Sequence, residues 1–380
     1  MLSSSRSRVP AILCAIVLAG AVLYSFKISS KMADFDVFWR AGERAAAGEP
    51  LYRAEDGHYQ FKYLPAFAML VSPLTLLTPS HARAVWFTLS LSSLIALIAM
   101  SLRLWPERRR VAWLLVAVTI VVLGKFYAHE LLLGQANAMF GAIIVAALLA
   151  IARGREGLAG ALVALGVVLK PYALLLIPWL VLRRRWPSIA ACVAGLAVAL
   201  GLPLLRYFAG DTVALHKQWW GTVRDTTAPN LTSADNVSWL AMYTKWSGGD
   251  AAWAFGLWMV TGVAVVALLA WMWKARTRVP SPEPLEGAVL LLLVPLVSPQ
   301  GWDYVLLLAT PCVVCLVSFA GRLVPAMRIA TYMAMAVMGL TLYDLMGRDA
   351  YRAFMMASGV TLCTFVLLAA AAELRLRHVA

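Results

Sequence analysis

Two acids lie two residues apart in "MADFDVFWRAGERAAAGEPLY", Met32 to Tyr52, in a chain of 380 residues with only 19 acids against 33 lysines and arginines. On a helix, residues two apart do not share a face. One of Asp34 and Asp36 could then point at a cavity while the other caps the helix, where the macrodipole stabilises an acid. On an extended segment both would share a face and could ligate a divalent cation through oxygen. An acid beside a partly desolvated cavity could instead be a general base that deprotonates a hydroxyl nucleophile.

A base of that kind is useful beside an anion site, and Lys170 is the clearest candidate for one. It interrupts the apolar run "GLAGALVALGVVLKPYALLLIPWLVLRRR". An ionisable group at membrane depth is costly and marks function, unless it snorkels or is paired internally. An ammonium there would hold a lipid phosphate by charge-assisted hydrogen bonds. Lys62 and Arg206 could share that task, although basic residues also anchor helices at lipid headgroups. A base, a lysine and a phosphate leaving group together fit glycosyl transfer from a lipid phosphate.

The elements that must position these groups are membrane helices. Hydrophobic residues make up 62% of the chain and charged residues 14%, where a soluble domain carries roughly 25% charged residues. Apolar runs near the roughly 20 residues a spanning helix needs recur from end to end, and no alternating strands suggest an outer-membrane barrel. The class is an all-α polytopic membrane protein. The net charge of +14 reports topology before nucleic acid, because basic flanks concentrate on the cytoplasmic side. All five cysteines, Cys14, Cys192, Cys312, Cys315 and Cys363, fall in apolar runs, so "CVVC" reads as packing and no disulfide or thiolate site is legible.

Placing every basic cluster inside predicts twelve spans. They are 9–29, 84–105, 111–127, 137–152, 157–169, 171–182, 187–207, 252–273, 285–298, 303–320, 324–343 and 353–372, with both termini cytoplasmic. The run 63–78, broken by Pro65 and Pro73, is laid in the outer interface instead. Two long outer segments, 30–83 and 208–251, complete a single membrane domain. The hairpins around Lys170-Pro171 and Ser298–Asp303 have arms too short for a bilayer of about 30 Å, so their polar tips should line a cavity open to the outside. Trp and Tyr residues in the outer segments, Tyr63 and Trp302 among them, are ordinary interface anchors, and some could stack on sugars. No Walker, GxGxxG, HExxH or GxSxG motif is present.

In chain order the motifs "DFDVFWRAGERAAAGEPLY", "FKYLPAFAMLVSPL", "GQANAMFGAIIVAALLA", "LKPYALLLIPW", "DNVSWLAM" and "VSPQGWDYVLLLATP" resemble glycosyltransferase family 87. That resemblance implies the GT-C membrane fold and an inverting transferase. The donor would be a polyprenyl-phosphate sugar, as in the mannosyltransferases of phosphatidylinositol mannoside synthesis, used at the outer face of the cytoplasmic membrane. The family's acid falls on Asp34 as catalytic base and leaves Asp36 at a variable position. Its G-Q-x-N motif falls on Gly134, Gln135 and Asn137, and its K-P on Lys170 and Pro171. Lys170, Lys62 and Arg206 are then expected at the donor phosphate. Asp36, Tyr63, Gln135, Asn137, Asn236, Trp302 and Asp303 are expected to bind substrate. Where members often carry S-P-x-S-W-x-H-H, this chain has "SPQGWDY", so the donor contacts of that histidine must be made differently.

The expectation is therefore a hexosyltransferase, with a sugar such as mannose passing to a glycolipid or glycan acceptor and no cofactor. A divalent metal held by Asp34 and Asp36 ranks below this, since no further acids assemble a ligand set. A transporter or flippase of a lipid-linked sugar is the alternative. It would call for related halves with broken helices near the midplane, and no such internal symmetry is visible.

Overall fold

A computed structural model describes residues 19, 20, 22, 24–275 and 281–377. Most of the first expected span, the cluster Arg6/Arg8, Cys14, and parts of the basic clusters at 274–278 and 373–378 lie outside those residues. Among the described residues the secondary structure is helical throughout, apart from one isolated bridge between Asn236 and Trp302.

Helix α1, Ala33–Ala47, buries Phe35, Phe38, Ala41, Gly42 and Ala45, a stripe at helical spacing. It stops at Gly48, which takes the left-handed conformation (φ 71°) that glycine adopts without strain. Pro65 opens α2, Pro65–Val71, at a position where its missing N–H costs nothing. A 3-10 turn, Ser72–Leu76, prolongs it. The whole of Pro65–Leu76 is too short to cross a bilayer and lies against α1.

The remaining helices include the expected spans from 84 onward in order, and between them shorter helices that fall in segments 208–251 and 343–356. They are α3, Pro79–Arg103; α4, Ala112–Leu133; α5, Asn137–Ala152; α6, Glu156–Leu169; and α7, Leu176–Leu182, entered through a 3-10 turn Pro171–Leu175. Next come α8, Trp186–Gly201; α9, Ala209–Asp225; α10, Trp239–Trp246; α11, Ala251–Lys274; and α12, Glu283–Val297. The chain ends through α13, Thr310–Phe319, preceded by a 3-10 stretch Asp303–Ala309; α14, Pro325–Leu340; α15, Tyr343–Met346; α16, Arg348–Met356; and α17, Gly359–Leu376.

Among the described residues six helices are long and apolar enough to cross a membrane: Pro79–Arg103, Ala112–Leu133, Trp186–Leu205, Ala251–Lys274, Asp303–Arg322 and Gly359–Leu376. Of the other expected spans, 9–29 lies mostly outside the described residues and the rest fall on helices of at most 16 residues, so six of the twelve have spanning length among the described residues. Asp303–Arg322 is the central one, buried along nearly all its length, and Ala251–Lys274 is peripheral. Cys312 and Cys315 are fully buried packing residues of α13 and carry free thiols. The closest helix pair is α6 on α8. A Cβ at Gly160 would meet the Ser188 carbonyl oxygen at 2.0 Å, so only glycine lets the two backbones touch.

At one end of the bundle a buried carboxylate gathers three helices. Glu286 of α12 accepts hydrogen bonds from Trp179 Nε1 (2.9 Å), from Arg183 Nε (2.9 Å) and Nη2, and from Arg375 Nε and Nη2 (3.2 and 2.9 Å). Glu283 and Glu156 extend the network through Arg185.

Candidate active site

Gly134 builds the centre of the site. It ends α4 with φ 69°, and a Cβ there would lie 2.8 Å from Cβ of Phe35. Both the backbone angle and the space demand glycine. Trp86 Nε1 donates to its carbonyl at 2.8 Å and fixes the turn. The next residue, Gln135, is thereby aimed at the first turn of α1.

One side-chain amide then joins four residues from distant parts of the chain. Gln135 Nε2 donates to Asp34 Oδ2 at 2.6 Å and lies 3.4 Å from the Tyr304 hydroxyl. Gln135 Oε1 accepts from the Tyr63 hydroxyl at 2.9 Å and from Lys170 Nζ at 3.2 Å. The same ammonium sits 4.6 Å from the Tyr63 ring centroid, within cation–π reach. Lys170 is buried. It leaves the helical path (φ −150°, ψ 122°) because Pro171 disfavours the α conformation before it, and this swings its side chain off α6. Tyr63 is held by stacking on Phe67 (4.7 Å) and by an edge contact with Phe38 (4.8 Å).

Burial pushes the half-buried Asp34 carboxyl above its ordinary value of 3.8, against the lowering pull of the Gln135 bond, Lys170, His129 and Lys62. Lys62 is lowered by burial and raised by Asp34, which places it in the same electrostatic group. Its carbonyl accepts from Trp219 Nε1 at 3.2 Å. Among the described residues neither Lys62 nor Lys170 forms an ion pair. The site therefore offers two ammonium groups with capacity for an anion, set against the carboxylates of Asp34 and, at Lys170, Glu130.

Asp36 is not part of this group. It faces Arg83 of α3, which clamps it through Nε (2.9 Å) and Nη2 (2.8 Å). The segment is helical, so the extended arrangement that would present both acids to one cation does not occur. Among the described residues no three His, Cys, Asp or Glu side chains are grouped to hold a metal ion. Arg206 is exposed at the end of the 3-10 turn Leu202–Leu205 and is not brought to Lys170.

Asn137 donates through Nδ2 to Glu130 Oε2 (2.8 Å), while Glu130 Oε1 accepts from the Ala138 N–H (2.9 Å). Glu130 thus caps the start of α5, where acceptors are wanted, and Asn137 supports it. Asn236 is spent on structure as well. Its Nδ2 donates to the carbonyls of Asn230 (3.0 Å) and Pro299 (2.8 Å), and its Oδ1 accepts from the Ser238 N–H (2.9 Å). Trp302 is half-exposed beside it. The buried Asp303 accepts from the Tyr304 N–H (2.7 Å) and pairs with His129 Nδ1 at 2.8 Å. His129, Glu130 and Tyr304 had not been singled out as site residues. The first two fell beyond an expected span ending at 127, yet α4 runs on to Leu133 and carries an acid in its apolar length, a signal of function or pairing.

Beside the lysines runs an apolar groove. One part, about 670 Å³, is lined by Leu64, Leu200, His216, Trp219 and Trp220. A second part, about 200 Å³, shares Leu64, Leu200, His216 and Trp219 and continues to Val167 and Pro171. Leu64 and Pro171 adjoin Lys62–Tyr63 and Lys170 in the chain, and the lining residue Trp219 donates to the Lys62 carbonyl, so the groove passes close to the backbone at both lysines.

Nothing among the curated proteins and nothing among the solved structures matches the chain. Glycosyltransferase family 87 matches residues 61–299, starting after Asp34 and Asp36 and ending before Trp302 and Asp303. The match takes in Lys62, Tyr63, Gln135, Asn137, Lys170, Arg206 and Asn236. It covers more than half of the 380 residues, so the chain belongs to glycosyltransferase family 87.

Proposed function

We propose that the protein transfers a sugar, a hexose such as mannose, from a polyprenyl-phosphate donor to a glycolipid or glycan acceptor. It would do so at the outer face of the cytoplasmic membrane, with both termini inside. The observation that carries this reading is the convergence of Asp34, Lys62 and Lys170, with an apolar groove lined by their chain neighbours Leu64 and Pro171. A lipid phosphate matches that pattern: its chain suits the groove, and its phosphate suits two unpaired ammonium groups.

The chemistry is one displacement. Asp34 accepts the proton of the acceptor hydroxyl, whose oxygen forms a bond to the anomeric carbon. The bond from that carbon to the phosphate oxygen breaks, and its electron pair leaves with the polyprenyl phosphate. Lys170 and Lys62 meet the charge that develops on the leaving oxygen, the kind of pre-set electrostatic stabilisation that lowers barriers most. Attack opposite the leaving group inverts the anomeric centre. Gln135 holds Asp34 and Lys170 in fixed register, since it bonds to both.

The expected pH dependence has a definite sign. A base must be ionised, and burial raises the Asp34 carboxyl. The acidic limb of kcat/KM should therefore lie above pH 3.8, with activity lost as pH falls through that limb. A profile with its acidic limb at the value of a free aspartate would contradict the burial argument.

Lys170→Ala tests the donor site. Hydrogen bonds to charged groups contribute about 1.5–3 kcal/mol, so affinity for farnesyl phosphate should drop at least about tenfold. Titration of the purified variant in nanodiscs reads this directly, and an affinity equal to wild type would remove Lys170 from the donor site.

A further inference from the structure

A second polar group, centred on His129, lies within the field of Asp34. His129 stands on the last turns of α4 with its side chain one-third exposed, while its partner Asp303 is buried. The Asp303 carboxylate engages Nδ1 at 2.8 Å, and the Tyr304 ring meets the imidazole edge-on at 5.2 Å. Two contacts thus fix the ring, and Nε2 has no hydrogen-bond partner among the described residues. Tyr304 also reaches Gln135 at 3.4 Å, which ties the imidazole to the amide that holds Asp34.

The surroundings of His129 are acidic. Asp235 is half-buried, within the field of His129 and Asp303, and its carboxylate receives no hydrogen bond among the described residues. Burial, and then Asp303, push that carboxyl up. The nearby cations are occupied. Lys245 donates to the carbonyls of Ala234, Asn236 and Met355 (3.5, 2.9 and 3.1 Å), and Lys125 donates to Thr341 through its carbonyl and its hydroxyl (both 2.9 Å). Asp303 neutralises His129 itself when the imidazole is charged. Lys245 lies within the field of Asp235 and Lys125 within that of Asp303, so a carboxylate offsets each lysine and the group carries no surplus positive charge for a second phosphate.

We propose that His129, with Asp235, forms the acceptor subsite and that this subsite takes an uncharged polyhydroxyl group, a sugar or cyclitol ring. This rests on the transferase reading above and supplies its acceptor class. A free imidazole nitrogen and a free carboxylate can bind adjacent hydroxyls, as donor and acceptors of hydrogen bonds. The half-exposed Trp302 beside Asp303 offers an aromatic face. The two groups then sort the substrates: phosphate to Lys62 and Lys170, polyol to His129 and Asp235, with Asp34 in the field of both lysines and of His129. Asp303 is a positioning residue that sets the imidazole.

The test compares two probes on the full chain in nanodiscs: octyl α-mannoside for the acceptor subsite and farnesyl phosphate for the donor site. His129→Ala and Asp235→Asn should each weaken octyl mannoside binding about tenfold or more and leave farnesyl phosphate affinity within about twofold. Lys170→Ala should show the reverse pattern. Retained farnesyl phosphate binding also shows that each variant is folded. Should the alanine variant not fold, His129→Gln and Asp235→Asn read the same contrast. Unchanged mannoside affinity in both His129 and Asp235 variants overturns the proposal, as does a loss of farnesyl phosphate affinity in place of the mannoside. Wild type that binds the phosphate but not the mannoside also overturns it and leaves the donor reading standing. Failure of wild type to bind farnesyl phosphate defeats the donor reading instead.

Discussion

Asp34→Asn should abolish sugar transfer and leave a protein at least as stable as wild type. Removal of a general base costs typically about 10²–10⁴ in rate, and amide in place of carboxylate preserves shape. The oxygen that accepts from Gln135 Nε2 remains, so the loss comes from the missing base and not from a rearranged site. The stability expectation follows from linkage. Burial raises the folded-state value of Asp34 above its ordinary 3.8. For such a group the favourable contribution of the protonated form is present below the unfolded-state value, and it is lost as pH rises through the folded-state value. At neutral pH the ionised Asp34 is thus a charge the fold carries at a cost, and its neutralisation should hold or raise the melting temperature. A variant with full turnover would remove Asp34 from the reaction. One that loses activity only because it melts earlier would show the residue to be structural.

Glu286→Ala should have the largest effect on stability. The carboxylate receives bonds from Trp179, Arg183 and Arg375, and Arg375 is completely buried. Its removal strands the Arg375 guanidinium in the interior and, among the described residues, leaves Arg183 only Glu283, 3.8 Å away. Breaking a buried pair by deleting one partner costs roughly 3–5 kcal/mol, because the remaining charge has nothing to replace it. The variant should melt well below wild type in detergent and accumulate poorly. The fraction that folds should bind farnesyl phosphate as wild type does, since Glu286 is not among the groups that bond to or electrostatically influence Asp34, Lys62 or Lys170. An unchanged melting temperature would mean that water or lipid headgroups satisfy the arginines.

Helix order was legible in the sequence because apolar runs and basic breaks have a direct physical cause, the bilayer and its positive-inside bias. The tip at Lys170-Pro171 was legible for a similar reason, since proline enforces the break wherever the helix packs. Helix length was harder to read. The 3-10 stretches Pro171–Leu175 and Asp303–Ala309 continue apolar runs without a change in composition, so hydropathy cannot separate them from α-helix. The partners of polar residues were not legible at all. Asp36 and Arg83, Asp303 and His129, and Glu286 and Arg375 are joined across distances in sequence of 47, 174 and 89 residues. Only packing decides such pairs. The same limit applies to Asn137 and Asn236, whose side-chain N–H groups go to Glu130 and to the Asn230 and Pro299 carbonyls. Asp34, Tyr63, Gln135 and Lys170 did meet, and the requirement that buried polar and ionisable groups find partners accounts for it.

The most direct test of the account is to give wild type and Asp34→Asn, each in nanodiscs, polyprenyl-phosphate mannose labelled in the sugar together with a panel of neutral glycoside acceptors. Wild type should release polyprenyl phosphate and place the label on an acceptor with inverted anomeric configuration, and the variant should do neither. Equal turnover by both proteins would contradict the account, as would an intact donor that wild type, reconstituted in sealed vesicles, carries from one leaflet to the other without breaking its sugar–phosphate bond.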